Sequence, residues 1–299
     1  MKKTLFLLFI ILLSFPYPSQ GKTLIPVTIQ QDTLDSYNEL LLHTGKHPYL
    51  LEELPTSKIS RSLADVIIAQ KAIKLGGIEP VFIFKAIPNS RRATEDAANG
   101  LVVFYPHQLN LNTLNVPRYK KNFLVSDPIT RFGEFQKAFY CLASNAALLS
   151  CTNAKEINLN GKGIVGQHWH NDKKVLRDMG ITNLIDAPTF ECMIKMIRAG
   201  RADWIPLEIS NAKDSSMTLY GVHLVPIPEI KFSLLESRHF FISKTHPEGE
   251  KIYEALQKGI KELRKQGFIH KILTQAGMFN PNADSWTILN AEKMKAGMN

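Results

Sequence analysis

Apolar runs of strand length alternate along this chain with helical patterns, and most of those helical patterns stop at a glycine. Residues 24–29 read as a first strand. Residues 61–75 read as a helix capped by Ser60, with Leu63, Val66, Ile67 and Ile73 on its inner side and Gly76-Gly77 as its stop. A strand over 81–86 follows, then Pro88-Asn89-Ser90 opens a helix over 91–98 that Asn99-Gly100 closes before a short strand at 101–105. The order then recurs. Residues 164–166 form a strand, and Asn171-Asp172 caps a helix that runs through Met179 to Gly180. A strand at 181–185 leads to a helix capped by Thr189, in which Phe190, Met193, Ile194 and Ile197 share one face. Gly200 ends that helix ahead of a strand at 203–205. Strand, helix and strand joined by short links build parallel βαβ units, so two α/β units are expected.

A short internal echo relates them. The segments 99–106 and 199–206 share a helix stop at glycine, a strand and a proline, with Phe104-Tyr105 and Trp204-Ile205 before the proline. The last third reads as a strand at 238–243, a turn at His246-Pro247 and a long helix from Glu248. Ile252, Leu256, Ile260 and Leu263 line one face of that helix, and Gly267 ends it before a short helix at 268–273. From Ser285 the chain is polar and is expected to be loosely held.

The N-terminus reads as an export signal. Lys2 and Lys3 precede an apolar run at 5–13, Pro16 and Pro18 break it, and Ser19-Gln20-Gly21 sets small residues before a cut ahead of Lys22. Nine apolar residues are too few for a transmembrane helix, which needs about 20. The chain has 36 basic and 27 acidic residues among 299. The basic residues are interspersed with acids and accompany no nucleic-acid-binding motif, so the charge describes a solvated surface. Cys141 and Cys151 are near enough in sequence to pair in an oxidising compartment or to stay as buried thiols, and Cys192 sits beside an apolar helical stripe.

Four segments resemble the bacterial periplasmic solute-binding proteins of family 3, which includes the polar amino-acid binders. Asn160-Gly161-Lys162-Gly163-Ile164-Val165-Gly166 is similar to that family's "L-x-G-K-x-V-G-V", and Ala199-Gly200-Arg201-Ala202-Asp203 to its "x-G-R-x-D-A". Val125-Ser126-Asp127-Pro128 resembles "F-S-D-P-Y", and residues 265–273 resemble the closing "D-G-x-x-x-K-I-x-x-K". The resemblance spans roughly residues 24–273 and rests on the order and spacing of these pieces. It implies the type 2 periplasmic binding fold, an α/β architecture of two lobes with two hinge crossings and ligand held between them. The implied division is a signal peptide at 1–21, lobe 1 from 22–140 plus 230–299, and lobe 2 from 141–229, with crossings near 140–144 and 226–230.

The resemblance also implies a set of ligand-binding residues. The second-lobe acid that receives a ligand ammonium falls on Glu208, five residues after Asp203. The loop at the start of a second-lobe helix falls on Gln167-His168-Trp169-His170-Asn171, where helix amides suit an anion and Trp169 can stack on a ligand. Family members usually show Gly and Thr in this loop. The arginine that takes the ligand carboxylate corresponds to Arg118, one residue out of register, or to Arg91 or Arg92 at the start of a first-lobe helix. Tyr105 and Trp169 are expected to cover apolar parts of the ligand. Val103 stands where the family's first-lobe aspartate usually is.

No catalytic constellation is present: G-x-S-x-G, H-E-x-x-H and phosphate-binding glycine loops are all absent. His168-x-His170 lacks a third ligand for a metal, and no cofactor is implied. The expectation is a monomeric, exported binder of a small polar molecule, amino-acid-like or an organic anion, serving an ABC-type importer. The alternative is a ligand sensor reporting to a membrane receptor or kinase.

Overall fold

The structure is a computed structural model that describes residues 21–52, 59–210 and 212–297. The expected signal peptide lies outside the described residues. Among the described residues, no helix is long and apolar enough to cross a membrane.

The first lobe is built on parallel pairing of strand Thr23–Gln30 with strand Pro80–Ile87, with Leu24 opposite Val81. Phe104 bridges Val27 on one side and Ile242 on the other, and strand Phe241–Ser243 pairs antiparallel with Phe123–Val125. The expected strand at 101–105 is thus reduced to one bridging residue, Phe104. Helix Arg61–Leu75 starts where the sequence places it, with the Ser60 hydroxyl accepting from the Leu63 amide. Residues 63–70, Ala72 and Ile73 are buried, because helix Gly249–Lys265, helix Gln31–Thr44 and strand Pro80–Ile87 pack around the helix. The two helices approach closely at glycines. A Cβ on Gly259 would stand 1.8 Å from the Ala72 carbonyl oxygen, and one on Gly76 would stand 1.9 Å from that of Ala255.

The second lobe is a mixed sheet in the order Leu184–Ala187, Gly163–Gly166, Trp204–Glu208, Gln136–Cys141. Gly163–Gly166 runs parallel to Leu184–Ala187, and Gln136–Cys141 runs antiparallel to Trp204–Glu208. Side chains alternate across that strand as the pleat requires. Ala138 and Tyr140 enter one apolar cluster with Ile164, Ile194 and Ile205, while Phe139 and Cys141 enter the other with Trp204 and Phe232.

At both expected crossings the chain is paired as strand. Tyr140 pairs with Ile205 on one side and Pro226 on the other, so residues 140 and 226 lie inside the second sheet. Residues 129–136 and 233–238 run side by side: Thr130 bridges Arg238, the Leu234 amide donates to the Phe135 carbonyl, and Gln136 pairs with Ser233. The buried run Ala138–Cys141 belongs to a paired inner strand.

The chain after Ser285 is also better held than expected. Strand Thr287–Ile288 adds to the edge of Ile230–Ser233, and the Asn290 amide clamps both the N–H and the C=O of Ser233. Helix Ala291–Ala296 follows. Gly100 and Gly200, the two glycines of the internal echo, share left-handed φ values of 73° and 66°. All three cysteines are free thiols, and burial pushes that of Cys141 up to about 12.

Candidate functional site: the cleft between the lobes

A cavity of about 410 Å³ opens between the lobes. The first lobe contributes Arg61, Asn110 and Asn112. The second contributes Lys137, the run from His168 to Asp172, and Glu208. The paired segments 129–136 and 233–238 supply Phe135, Leu234, Glu236 and Arg238.

Local sequence explains these positions. Arg61 is the first residue of its helix, so the Ser60 cap that begins the helix also aims this guanidinium at the cleft. Strand Gly163–Gly166 ends in a tight turn in which the Trp169 amide donates to the Gly166 carbonyl. The indole folds back over Gly166, where a Cβ would fall 2.7 Å from the ring, so the missing side chain makes room for it. Helix His170–Asp178 then starts at the cleft, with Asp172 in its first turn, where the helix dipole favours an acid. Antiparallel register sets Lys137 directly opposite Glu208.

Each cation of the cleft has an acid. Arg61 Nη1 reaches across from the first lobe to Glu208 Oε1 at 2.5 Å. Lys137 Nζ and Asp172 Oδ1, both buried, lie 2.5 Å apart. Arg238 forks onto Glu236 Oε1 through Nε at 2.8 Å and Nη2 at 2.7 Å. The same three cations surround Phe135: the Arg238, Arg61 and Lys137 charges sit 4.1, 5.2 and 5.9 Å from its ring centroid. Lys137 also stands 4.3 Å from the Trp169 ring. A second contact crosses the cleft, from Asn112 Nδ2 to Asn171 Oδ1 at 2.7 Å, and Asn171 in turn donates to Glu236.

Below Arg61, one turn along its helix, Asp65 is buried. Its carboxylate accepts from the Gln108 side chain at 2.5 Å and from the Gln108 amide at 3.1 Å, and His107 Nδ1 lies 3.9 Å away. Burial pushes the Asp65 carboxyl up to about 6, against the pull of Gln108's hydrogen bonds and the charges of Arg61 and Arg238. Burial, assisted by Arg61, brings His107 down to about 3, and its Nε2 has no hydrogen-bond partner. Thr130, in segment 129–136, donates to the Gln108 side-chain oxygen at 2.5 Å, so this network ties the Arg61 helix to that segment.

Of the residues expected from sequence, the structure brings His168, Trp169, His170, Asn171 and Glu208 together in the cleft. It places the other four elsewhere. Arg118 pairs with Glu95 on the surface, because Tyr119 and Phe123 anchor its short helix against Ala97 and Ala98. Arg91 and Arg92 line a separate depression with Glu95 and Asp96, where Arg92 is held by Asp96 at 2.8 Å. Tyr105 is buried with Ile87 and Ala93, its hydroxyl donating to Gln30 and its ring 4.3 Å from that of His107. The arginines of the cleft are Arg61 and Arg238. Sequence reading missed both of them, along with Lys137. The available signals were a charged residue directly after the Ser60 cap and a lone lysine heading the apolar run 138–142. Among the described residues, no group of three or more His, Cys, Asp or Glu is arranged to hold a metal ion.

No protein-family model matches the chain, and no curated protein matches it. Solved structures do. The chain is similar to the probable amino-acid ABC transporter extracellular-binding protein ytmK from Bacillus subtilis, at 14% identity over 86% of this chain and 99% of that one, with a TM-score of 0.57. It is also similar to substrate-binding domain 2 of Lactococcus lactis GlnP in its open conformation, at 13% identity over 73% and 86%, with a TM-score of 0.51. With two lobes and a charged cleft between them, the chain has the fold of the bacterial amino-acid ABC solute-binding proteins, the type 2 periplasmic binding fold.

Proposed function

We propose that this protein is an exported solute-binding protein that captures a small zwitterionic ligand in the inter-lobe cleft and presents it to a membrane permease. The observation that carries this reading is the Arg61–Glu208 pair, a cation from one lobe and an acid from the other meeting across the cavity. A zwitterion replaces that pair charge for charge. Its carboxylate takes the guanidinium of Arg61, with Arg238 near the same ring, and its ammonium takes Glu208. The exchange leaves no charge of the cleft unpartnered, which matters because an unpaired desolvated charge is costly. The N-terminal basic and apolar pattern supports export, and the similar ytmK structure is named a probable amino-acid ABC transporter extracellular-binding protein.

Calorimetric titration of the purified exported protein with amino acids, organic acids and amines tests the reading. Once a bound ligand covers Arg61 and Glu208, each about a third exposed here, loss of one partner of the resulting buried charged contact costs about 2–5 kcal/mol, roughly thirtyfold or more in affinity. Arg61→Gln and Glu208→Gln are each expected to weaken the best ligand by at least that factor, whereas Arg118→Ala leaves it unchanged. Binding that survives both cleft substitutions would overturn the assignment.

A further inference from the structure

Beside the cleft lies a second cavity of about 260 Å³, and the two share Lys137, Trp169 and Glu208 as common walls. The remaining walls of this annex are Phe190, Leu207, Met217 and Leu219. Among the described residues, its charged lining is therefore the pair at the shared boundary, Lys137 and Glu208. Both are engaged away from it, Lys137 with Asp172 and Glu208 with Arg61. The annex is an apolar chamber opening onto the charged end of a polar cleft.

Its walls come from three elements of the second lobe. Leu207 precedes Glu208 on strand Trp204–Glu208, Met217 and Leu219 belong to strand Met217–Leu219, and Phe190 begins helix Phe190–Arg198. Phe190 holds the Trp169 ring at 6.4 Å on one side and the Tyr220 ring at 6.2 Å on the other, making an aromatic end wall. Met217 adds a flexible, polarisable side chain that adapts to different shapes. Phe190, Met217 and Leu219 are only partly buried, although each is apolar, and a ligand group would cover the exposed part.

We infer that the annex receives an apolar side group of the ligand, so that the protein selects zwitterions with an aliphatic or aromatic substituent over short or polar ones. The inference rests on the zwitterion reading of the cleft. A ligand whose ammonium sits on Glu208 has its substituent next to Trp169, at the shared wall. Each methylene moved from water into such a chamber is worth about fourfold in affinity, and the three extra carbons of leucine over alanine make a difference of tenfold or more.

Calorimetry with L-alanine, L-serine, L-glutamine, L-leucine and L-phenylalanine tests this. L-Leucine or L-phenylalanine is expected to bind at least tenfold tighter than L-alanine and L-serine. Filling the annex with Met217→Trp, or independently with Leu219→Trp, is expected to abolish that preference while holding L-alanine affinity within about threefold. Equal binding of all five, tighter binding of L-serine or L-glutamine, or a preference that persists in both filled variants would overturn the annex while leaving the cleft reading standing. A protein that takes up none of the five overturns the zwitterion reading, and the annex assignment with it.

Discussion

Asp65 and His107 sit side by side under the cleft, and their ionisations respond to pH in opposite directions. Asp65 ionises at about 6 in the folded chain against 3.8 when free, since burial disfavours its charge more than Gln108 and the nearby arginines favour it. The folded state therefore holds this proton more tightly, and the Asp65 contribution to stability falls as pH rises from about 4 to about 6. His107 is kept neutral down to about 3 against 6.5 when free, by burial first and the Arg61 charge second. The unfolded chain takes that proton earlier, so the His107 contribution falls as pH drops from about 6.5 toward 3. The two slopes offset each other between pH 4 and 6. Asp65→Asn is expected to lose stability more steeply than the parent protein on acidification through this window. His107→Gln is expected to gain relative to the parent over the same range. Urea midpoints measured from pH 4 to 7 check both, and parallel curves for the three proteins would refute the account. The charged pair Lys137–Asp172 belongs to the same scale. Both members are buried, so Asp172→Ala leaves a desolvated ammonium without its acid and is expected to cost about 3–5 kcal/mol in a denaturation titration.

Close approach of helices explains why two elements far apart in sequence share the core of the first lobe. Helix Arg61–Leu75 and helix Gly249–Lys265 meet where Gly259 faces the Ala72 carbonyl and Gly76 faces that of Ala255. A single added methyl at either glycine would collide with backbone, which cannot rotate away as a side chain can. Gly259→Ala improves intrinsic helix propensity by about 1 kcal/mol, yet the forced separation outweighs it. The variant is expected to be less stable by about 1–3 kcal/mol in urea, and a gain in stability would show that the helices separate freely. Both helices were legible as sequence, the first from Ser60 to Gly76 through its cap and stop, the second through Ile252, Leu256, Ile260 and Leu263, all of which are buried. Strand Gln136–Cys141 is not legible in the sequence. A fully buried inner strand has no alternation to mark it, and its partners, Trp204–Glu208 and Val222–Pro226, lie more than sixty residues further along the chain.

At the scale of the whole molecule, the polar contacts Arg61–Glu208 and Asn112–Asn171 join the lobes across the cleft. We propose that residues 129–136 and 233–238 act as the hinge, and that ligand stabilises the closed arrangement through contacts made from both lobes at once. Small-angle scattering is expected to show a smaller radius of gyration with saturating ligand than without it. An unchanged radius for a ligand that binds tightly would exclude closure about these segments. The composition of the mature N-terminus is a separate check: mass spectrometry of exported protein is expected to find Lys22 at or near the first position. By itself, the sequence determined the α/β alternation, the capped helices and the second-lobe loop from His168 to Asn171, because caps, glycine stops and apolar periodicity act over a few residues. Glu208 was reached by counting along a short motif, which the sheet preserves as a single strand. Which arginines face the ligand was decided only by the tertiary structure. Arg61, Arg91, Arg92 and Arg118 all lie at or near helix starts and are alike in sequence. Only the packing of Tyr119 and Phe123 against Ala97 and Ala98 turns Arg118 toward Glu95, while the fit of the two glycine-faced helices sets Arg61 across from Glu208.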